Sequence, residues 1–253
     1  MKIKILGLLC FSMGLSFFSL GQDIVHASID QEMKAEISID QEIQLNIFYQ
    51  GKKVISNLSL GLDVESKHWN LSEFTIEKHQ ELLIEVNDPI PVKFARQEVL
   101  FSQLLLNFSG GLKWEMLIGE EGMAYRWILD LNEEILINDE LLKFQLEEQD
   151  ICYFPKEERM ISHYERLYLK NTIDSISSGE FCSLPVLFQK KDGMNILFTE
   201  TDLFDYPCLF LEKGEKKDRF RAIFPKVVLE VEPAEKGGDR NQKILKEAHY
   251  LAK

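Results

Sequence analysis

The stretch 112-LKWEMLIGEEGMAYRWIL-129 decides the fold class of this chain. Within residues 112–118 and again within residues 123–129, every second residue is large and apolar. An alternation with a period of two residues is typical of a β-strand that buries one of its faces. The segment Gly119–Gly122 between the two runs is short and has glycine at both ends, which favours a tight turn. The stretch therefore predicts a β-hairpin.

Outside this hairpin, short apolar runs and turn signals continue along the chain. The same alternation occurs in residues 43–49, and further strand candidates are residues 142–146, 185–189, 195–198, 208–211, 220–224 and 227–231. Residues 98–106 fit a strand or a helix, because a short apolar run has no decisive period. Many short strands with frequent turns and weak helical periodicity predict an all-β domain, either a sandwich or a barrel, with few short helices.

The N-terminus has the features of a secretory signal peptide. Two lysines lie within the first four residues, and a short apolar run follows over Ile5–Leu20. Ser19 and Gly21 favour cleavage before Gln22, and cleavage after Ala27 is the second choice. A transmembrane anchor is the alternative, but the run is shorter than the roughly 20 apolar residues that a span needs. We expect residues 1–21 to be removed and the product to be exported, to a periplasm or to the medium.

The net charge and the spacing of the cysteines and histidines disfavour several classes of partner and site. The formal net charge is −13, which disfavours binding to nucleic acid and to anionic membranes. Three cysteines follow the signal segment, Cys152, Cys182 and Cys208, and their spacing matches no zinc pattern. They form one disulfide at most, or remain buried free thiols. The five histidines are scattered, so neither a histidine metal site nor a Ser/His triad is indicated.

Four stretches of the chain resemble, in order and spacing, the N-terminal domain of glycoside hydrolase family 97. They are SLGL (59–62), EGMAYRW (121–127), YERLY (164–168) and FTETDLFDYP (198–207). Two departures from the family pattern are Glu121 in place of Asp and Thr201 in place of Ala, and neither removes a chemical group that the site needs. The resemblance implies a large antiparallel β-super-sandwich of the galactose mutarotase-like type over residues 22–235.

The resemblance also implies what should follow this domain. The family comprises mostly bacterial α-glucosidase-like and α-galactosidase-like enzymes whose (β/α)₈ barrel supplies the acid and base carboxylates. Residues 236–253 look like the start of the linker that leads to this barrel, and the polar segment 232–242 looks like a domain edge. The expected function is to bind carbohydrate and complete the active site of a calcium-dependent, exo-acting α-glycoside hydrolase. A stand-alone carbohydrate-binding module and a non-functional truncated fragment remain the alternatives.

The family resemblance assigns a metal-binding role to Glu200. In that family, the glutamate of the T-E-x-D-L segment reaches the active site and helps to bind calcium, a hard cation that prefers several oxygen ligands. One carboxylate should bind calcium weakly, so the other ligands are expected from the barrel. Without the resemblance, Glu200 would be interpreted as an exposed residue after the strand at 195–198. Asp202 is expected to turn or cap the segment.

Two residues are candidates for binding an α-linked oligosaccharide or another glycoside. Glu165 lies between two tyrosines and could face a ligand, or it could pair with Arg126 across the sheets. Trp69 could stack on a sugar ring, whereas Trp114 and Trp127 fit core positions of their strands. No catalytic residue is expected within this chain, and the sequence leaves open which glycoside is cut and whether the anomeric centre is retained.

Overall fold

A computed structural model describes residues 23–87, 96–201, 203–216, 218–232 and 242–253. The predicted signal segment (1–21) and Asp202 lie outside these residues. The described residues form 19 strands: β1 Ile24–Ala27, β2 Met33–Ile39, β3 Ile43–Tyr49, β4 Lys52–Val64, β5 Phe74–Asn87, β6 Arg96–Phe108, β7 Leu112–Ile118, β8 Met123–Leu129, β9 Ile137–Gln145, β10 Ile151–Phe154, β11 Lys156–Glu157, β12 Leu169–Thr172, β13 Phe181–Cys182, β14 Val186–Gln189, β15 Asn195–Phe198, β16 Phe210–Lys213, β17 Arg219–Ile223, β18 Val228–Glu232 and β19 Lys243–Glu247.

The strands form one large and three small antiparallel sheets. The large sheet has nine strands in the order β1-β2-β3-β4-β9-β17-β16-β13-β11. Two four-stranded sheets have the orders β5-β6-β7-β8 and β12-β10-β14-β15, and β18 pairs with β19. The described residues contain one helical segment, a 3₁₀ turn at Ile173–Ser175. The prediction of an all-β antiparallel sandwich with few short helices is confirmed.

The predicted hairpin is β7 and β8, with the bounds expected from the sequence. Trp114 lies opposite Trp127 in the register, and the N–H of Gly119 donates to the carbonyl of Gly122 at 2.8 Å. Trp114 is fully buried and Trp127 packs against the core, as their positions in the alternation predicted. The ambiguous run at 98–106 is part of strand β6, which pairs with β7 on one side and with the long strand β5 on the other.

The core joins the large sheet to the small sheets. Phe144 of β9 stacks on Phe198 of β15 with ring centroids 5.5 Å apart, and on Phe220 of β17 at 5.8 Å. Phe188 of β14 meets Phe144 edge to face at 6.0 Å. Aromatic pairs of this kind stabilise a core beyond the apolar area that they bury. This cluster fixes β15, and therefore the segment that follows β15, against the large sheet.

Several details differ from the sequence-based prediction. Strand β16 begins two residues later than the candidate at 208–211, because Cys208 and Leu209 belong to the preceding loop. Strand β5 was not predicted, because polar residues occupy both of its faces over Glu77–Glu81. The cysteines instead follow one of the two expected alternatives: Cys152, Cys182 and Cys208 are free thiols, and the first two are buried. Among the described residues, no helix is long and apolar enough to cross a membrane.

The C-terminal residues pack onto this domain. Strand β19 lies beyond the boundary predicted at residue 235, and it pairs with β18. The backbone of Ala252 bridges to Ile137 at the start of β9, and Leu251 is buried. The described part of the predicted linker, residues 242–253, therefore contacts the sheet that holds the candidate site. The boundary itself stays a prediction.

Candidate functional site

Glu200 lies two residues after β15, at the start of the loop that leads to β16. Its carboxylate is half-buried, and its Oε2 accepts a hydrogen bond from the backbone N–H of Leu209 at 2.9 Å. This bond closes the loop at its two ends. Burial raises the pKa of the Glu200 carboxyl, and the nearby charge of Glu140 raises it further, against the opposing effect of the Leu209 N–H. No lysine or arginine among the described residues forms an ion pair with Glu200.

Glu140 is a second, less exposed carboxylate close to Glu200. It lies on β9 and accepts hydrogen bonds from two tyrosines, Tyr206 Oη at 2.7 Å and Tyr125 Oη at 3.2 Å. Burial raises the pKa of Glu140, although both hydrogen bonds lower it. Burial and the Glu140 charge raise the pKa of both tyrosines, so the hydroxyls stay protonated as donors. Glu140 thus connects β8 of one sheet, β9 of another and the loop that contains Glu200.

The segment Tyr164–Tyr168 lies beside the Glu200 loop. Tyr164 Oη is 2.7 Å from Sγ of Cys208, and its ring stacks on Phe210 with centroids 5.7 Å apart. Burial, the bond to Cys208 and the charge of Glu200 raise the pKa of Tyr164. Tyr164 (φ 59°) and Asp205 (φ 54°) both adopt the left-handed backbone conformation that non-glycine residues seldom adopt. Such conformations persist only where surrounding contacts impose them, and they are frequent at functional sites.

A buried ion pair holds the Tyr164–Tyr168 segment in place. Arg166 Nε lies 2.8 Å from Oε2 of Glu157, whose side chain is inaccessible to solvent. Ser162 and Ser183 donate their hydroxyls to the same carboxylate at 2.7 and 3.2 Å. Glu165, between Tyr164 and Arg166, projects outward instead: 82% of its side chain is exposed, beside His163. Glu165 is therefore accessible to a ligand, in a shallow surface depression that Arg166 also lines.

The predicted pairing of Arg126 with Glu165 is wrong. Arg126 Nε lies 2.6 Å from Oε2 of Glu115, the residue directly opposite on β7. Glu115 is the cross-strand neighbour of Arg126, so its carboxylate reaches the guanidinium without a bend in the chain, whereas Glu165 belongs to a loop outside this sheet.

Trp69 lies apart from these residues, on the connection between β4 and β5. Its indole is half-buried, packs against the core and donates its N–H to the carbonyl of Gly110 at 3.3 Å. Within the described part of the chain, no contact links Trp69 with Glu165 or Glu200. The structure therefore brings the Glu165 and Glu200 segments together and leaves Trp69 at the β6–β7 turn.

The acidic site has part of what a calcium ion needs. Among the described residues, no group of three histidine, cysteine or acidic side chains could hold a metal ion. The Oε1 atom of Glu200 accepts no hydrogen bond from any described residue, so one carboxylate oxygen is available to a cation. Calcium takes six to eight oxygen ligands. Glu200 fits as a single oxygen ligand and does not form a calcium site by itself.

Comparison with known proteins establishes the family. The family described as "Glycosyl-hydrolase 97 N-terminal" matches residues 27–237. The chain belongs to this family. A retaining alpha-galactosidase of Bacteroides thetaiotaomicron is 22% identical over 246 residues, which cover 90% of this chain and 36% of that protein.

Solved structures show the same fold. A family 97 enzyme from Pseudoalteromonas sp. strain K8, in complex with acarbose, has a TM-score of 0.64 at 20% identity and is matched over 79% of this chain and 32% of its own. A beta-arabinopyranosidase has a TM-score of 0.66 at 17% identity, over 81% of this chain and 36% of its own. This family 97 chain therefore spans about a third of the length of the relatives that it matches.

Sequence analysis missed Glu140, although the sequence has a signal for it. Residues 142–146 were predicted to form a strand, and residue 140 lies in phase with residues 142 and 144, which are buried on β9. An acidic side chain in phase with buried apolar positions destabilises the fold unless it has hydrogen-bond or ionic partners. Such a residue therefore indicates a specific polar site. Its partners could not be found from the sequence, because Tyr125 and Tyr206 are 15 and 66 residues away.

Proposed function

We propose that this chain is the domain of an exported, calcium-dependent, exo-acting α-glycoside hydrolase that completes the active site of a (β/α)₈ catalytic barrel. In this proposal the barrel supplies the acid and base carboxylates. The observation that supports the proposal is the Glu200 carboxylate, which one backbone N–H orients and no described cation neutralises. Burial disfavours the ionised form of a carboxylate that has no counter-charge, and a bound cation would offset this penalty.

The surface next to Glu200 supports a protein partner. Leu203 and Phe204 follow Glu200 in the same loop and are 47% and 82% exposed, and Leu167 on the adjoining segment is 86% exposed. Large apolar side chains concentrated beside one site are typical of an interface. The catalytic barrel is the partner that would cover them and bring further oxygen ligands to the calcium ion.

Carbohydrate contacts are proposed for Glu165 and Trp69. Glu165 is exposed beside the Glu200 loop, so its carboxylate can accept hydrogen bonds from the hydroxyl groups of an α-linked oligosaccharide. Trp69 could add a stacking contact through the exposed part of its ring, at a position separate from Glu165. When bound, calcium would polarise a substrate oxygen and fix its position. The residues of this chain would fix the position of the ion and exclude water from it.

Calorimetry with calcium tests this function. The isolated domain should bind calcium weakly, with a dissociation constant near the millimolar range, because one carboxylate cannot replace the hydration shell. The protein that joins this domain to its catalytic barrel should bind calcium at least a hundredfold more tightly. The Glu200→Gln variant should lose most of this gain, whereas Glu215→Gln, at an exposed turn, should keep it. Equal calcium affinity in the joined protein and its Glu200→Gln variant would refute the proposal.

A further inference from the structure

We propose that Glu140 is a positioning residue for Glu200 and acts through the hydroxyl of Tyr206. The proposal rests on the hydrogen bonds of Tyr206 and Tyr125 to Glu140 and on the bond between Leu209 and Glu200 that closes the loop around Tyr206, rather than on the family. It adds to the proposed function a residue that lies on another strand, 60 positions before Glu200 in the chain.

The first step is the position of Glu140 itself. Strand β9 lies inside the nine-stranded sheet, where Glu140 pairs with Leu62 of β4 and the following residues Lys143–Gln145 also pair with β17. Leu142 and Phe144, which share the face of Glu140, are 2% exposed. A side chain on a paired strand next to a packed core has few alternative positions. Glu140 is thus a rigid attachment point.

The second step is the connection from Glu140 to the loop. Tyr206 Oη donates to Glu140 Oε2 at 2.7 Å, and the Tyr206 ring contacts Phe224 edge to face with centroids 6.1 Å apart. Hydrogen bonds to an ionised carboxylate are shorter and stronger than bonds between neutral groups. Tyr206 lies between Glu200 and Leu209, the two residues whose hydrogen bond closes the loop. When Tyr206 is fixed, the loop keeps its two ends at bonding distance.

The third step separates this role from packing in general. Tyr125 Oη reaches the other oxygen of Glu140 at 3.2 Å, but Tyr125 belongs to β8 and not to the loop. The two tyrosines therefore give a matched pair of hydroxyl deletions. Both remove one donor from the same carboxylate, and only Tyr206→Phe detaches the Glu200 segment.

The test is the backbone amide of Leu209 in the ¹⁵N-labelled mature chain, without calcium. Tyr206→Phe should speed hydrogen exchange at Leu209 by about fivefold, the effect of losing one hydrogen bond, and should move the amide proton resonance upfield. Glu140→Ala should do the same. Glu140→Gln should keep most of the protection, because the amide oxygen still accepts from Tyr206. Tyr125→Phe should leave Leu209 as in the wild type.

Three results would overturn the proposal. They are an unchanged Leu209 amide in Tyr206→Phe, an equal change in Tyr125→Phe, and a uniform rise in exchange over the whole chain. If Glu140→Ala does not fold, Tyr206→Phe decides, because it removes a single hydroxyl. If the proposed calcium role is wrong, the result expected for Leu209 stays the same, so each proposal can be refuted without refuting the other. If both hold, Tyr206→Phe should also weaken calcium binding by the joined protein several-fold.

Discussion

Arg166 and Glu157 form an ion pair at 2.8 Å in which the carboxylate side is fully buried and the guanidinium side is 31% exposed. The pair joins strand β11 of the large sheet to the segment that contains Tyr164 and Glu165. Because Glu157 accepts from two serines as well, its charge has three donors in all. The exposed position of Glu165 depends on this buried neighbour.

Arg166→Ala should lower the free energy of unfolding by roughly 2 to 3 kcal/mol, because it leaves a buried carboxylate without its cation. The loss stays below that of a fully buried pair, since both serines still donate. Urea unfolding measures the change. Arg221→Ala is the control: Arg221 is 61% exposed in its pair with Glu212, and its loss should cost less than about 1 kcal/mol. Equal losses in the two variants would contradict the structural role of Arg166.

Gly111 should not tolerate a side chain. Its φ is +83°, and a Cβ there would lie 2.7 Å from the carbonyl oxygen of Asp130 and 2.8 Å from Leu131. Gly111→Ala should therefore destabilise the domain by about 2 to 4 kcal/mol, through backbone strain and overlap. Gly122, at the other end of the hairpin, has open space around the same position. Thermal unfolding of Gly122→Ala should match the wild type within about 1 kcal/mol; an equal loss in both variants would contradict this account.

His26 should make the stability of the domain depend on pH. Its ring is buried, with Nε2 3.1 Å from the carbonyl oxygen of Ser102 and Nδ1 3.4 Å from Nε2 of His79. The pKa of His26 falls from 6.5 to about 4, mainly because the ring is buried and to a smaller extent because of the nearby His79, while the hydrogen bonds to the Ser102 and Met116 carbonyls oppose this shift. Between these two values the unfolded chain binds the proton and the folded chain does not.

The free energy of unfolding should therefore fall as pH decreases from 6.5 to 4, and it should gain nothing from this group above 6.5. The expected loss is roughly 1 to 2 kcal/mol, less than the full shift implies, because His79 is exposed and lets water approach. Urea unfolding at several pH values checks this. His26→Gln should remove that part of the slope, and the exposed His68→Gln should not. Identical slopes in all three proteins would disprove the assignment.

Truncation of Phe144 should destabilise the domain, whereas truncation of Phe204 should leave its stability almost unchanged. Phe144 is 2% exposed at the centre of the aromatic cluster, so Phe144→Ala should lower the free energy of unfolding by about 3 to 5 kcal/mol. Phe204 is 82% exposed, so Phe204→Ala should change stability by less than about 0.5 kcal/mol. Under the proposed function, Phe204→Ala should instead weaken packing against the catalytic barrel. Stability loss at Phe204 equal to that at Phe144 would contradict the exposed interface.

The fold was predictable where one face of a strand is buried and the other is solvated. Strands β3, β7, β8 and β15 have the bounds expected from alternation. Strand β5 lacks that contrast, because Lys78, Gln80 and Glu81 interrupt its apolar residues. The sheet order could not be read from local pattern either, since β9 lies between β4 and β17 through contacts distant in sequence.

The site was predictable only in part. Glu200 came from the family resemblance and Glu165 from its position between two tyrosines, and the structure places their segments side by side through Tyr164 and Cys208. Their surroundings depend on side chains that meet across sheets, such as Tyr125 and Glu140. Spacing along the chain contains no information on such contacts. The same limit explains the error at Arg126, whose partner is set by the register of β7 and β8.

The most direct test of the central claim is the calcium dependence of glycosidase activity in the protein that joins this domain to its catalytic barrel. If Glu200 is a calcium ligand, Glu200→Gln should raise the calcium concentration for half-maximal hydrolysis of an α-glycoside at least tenfold, because it removes a charged oxygen ligand. Glu215→Gln should leave the curve unchanged. Superimposable calcium curves for the wild type and Glu200→Gln would contradict the claim.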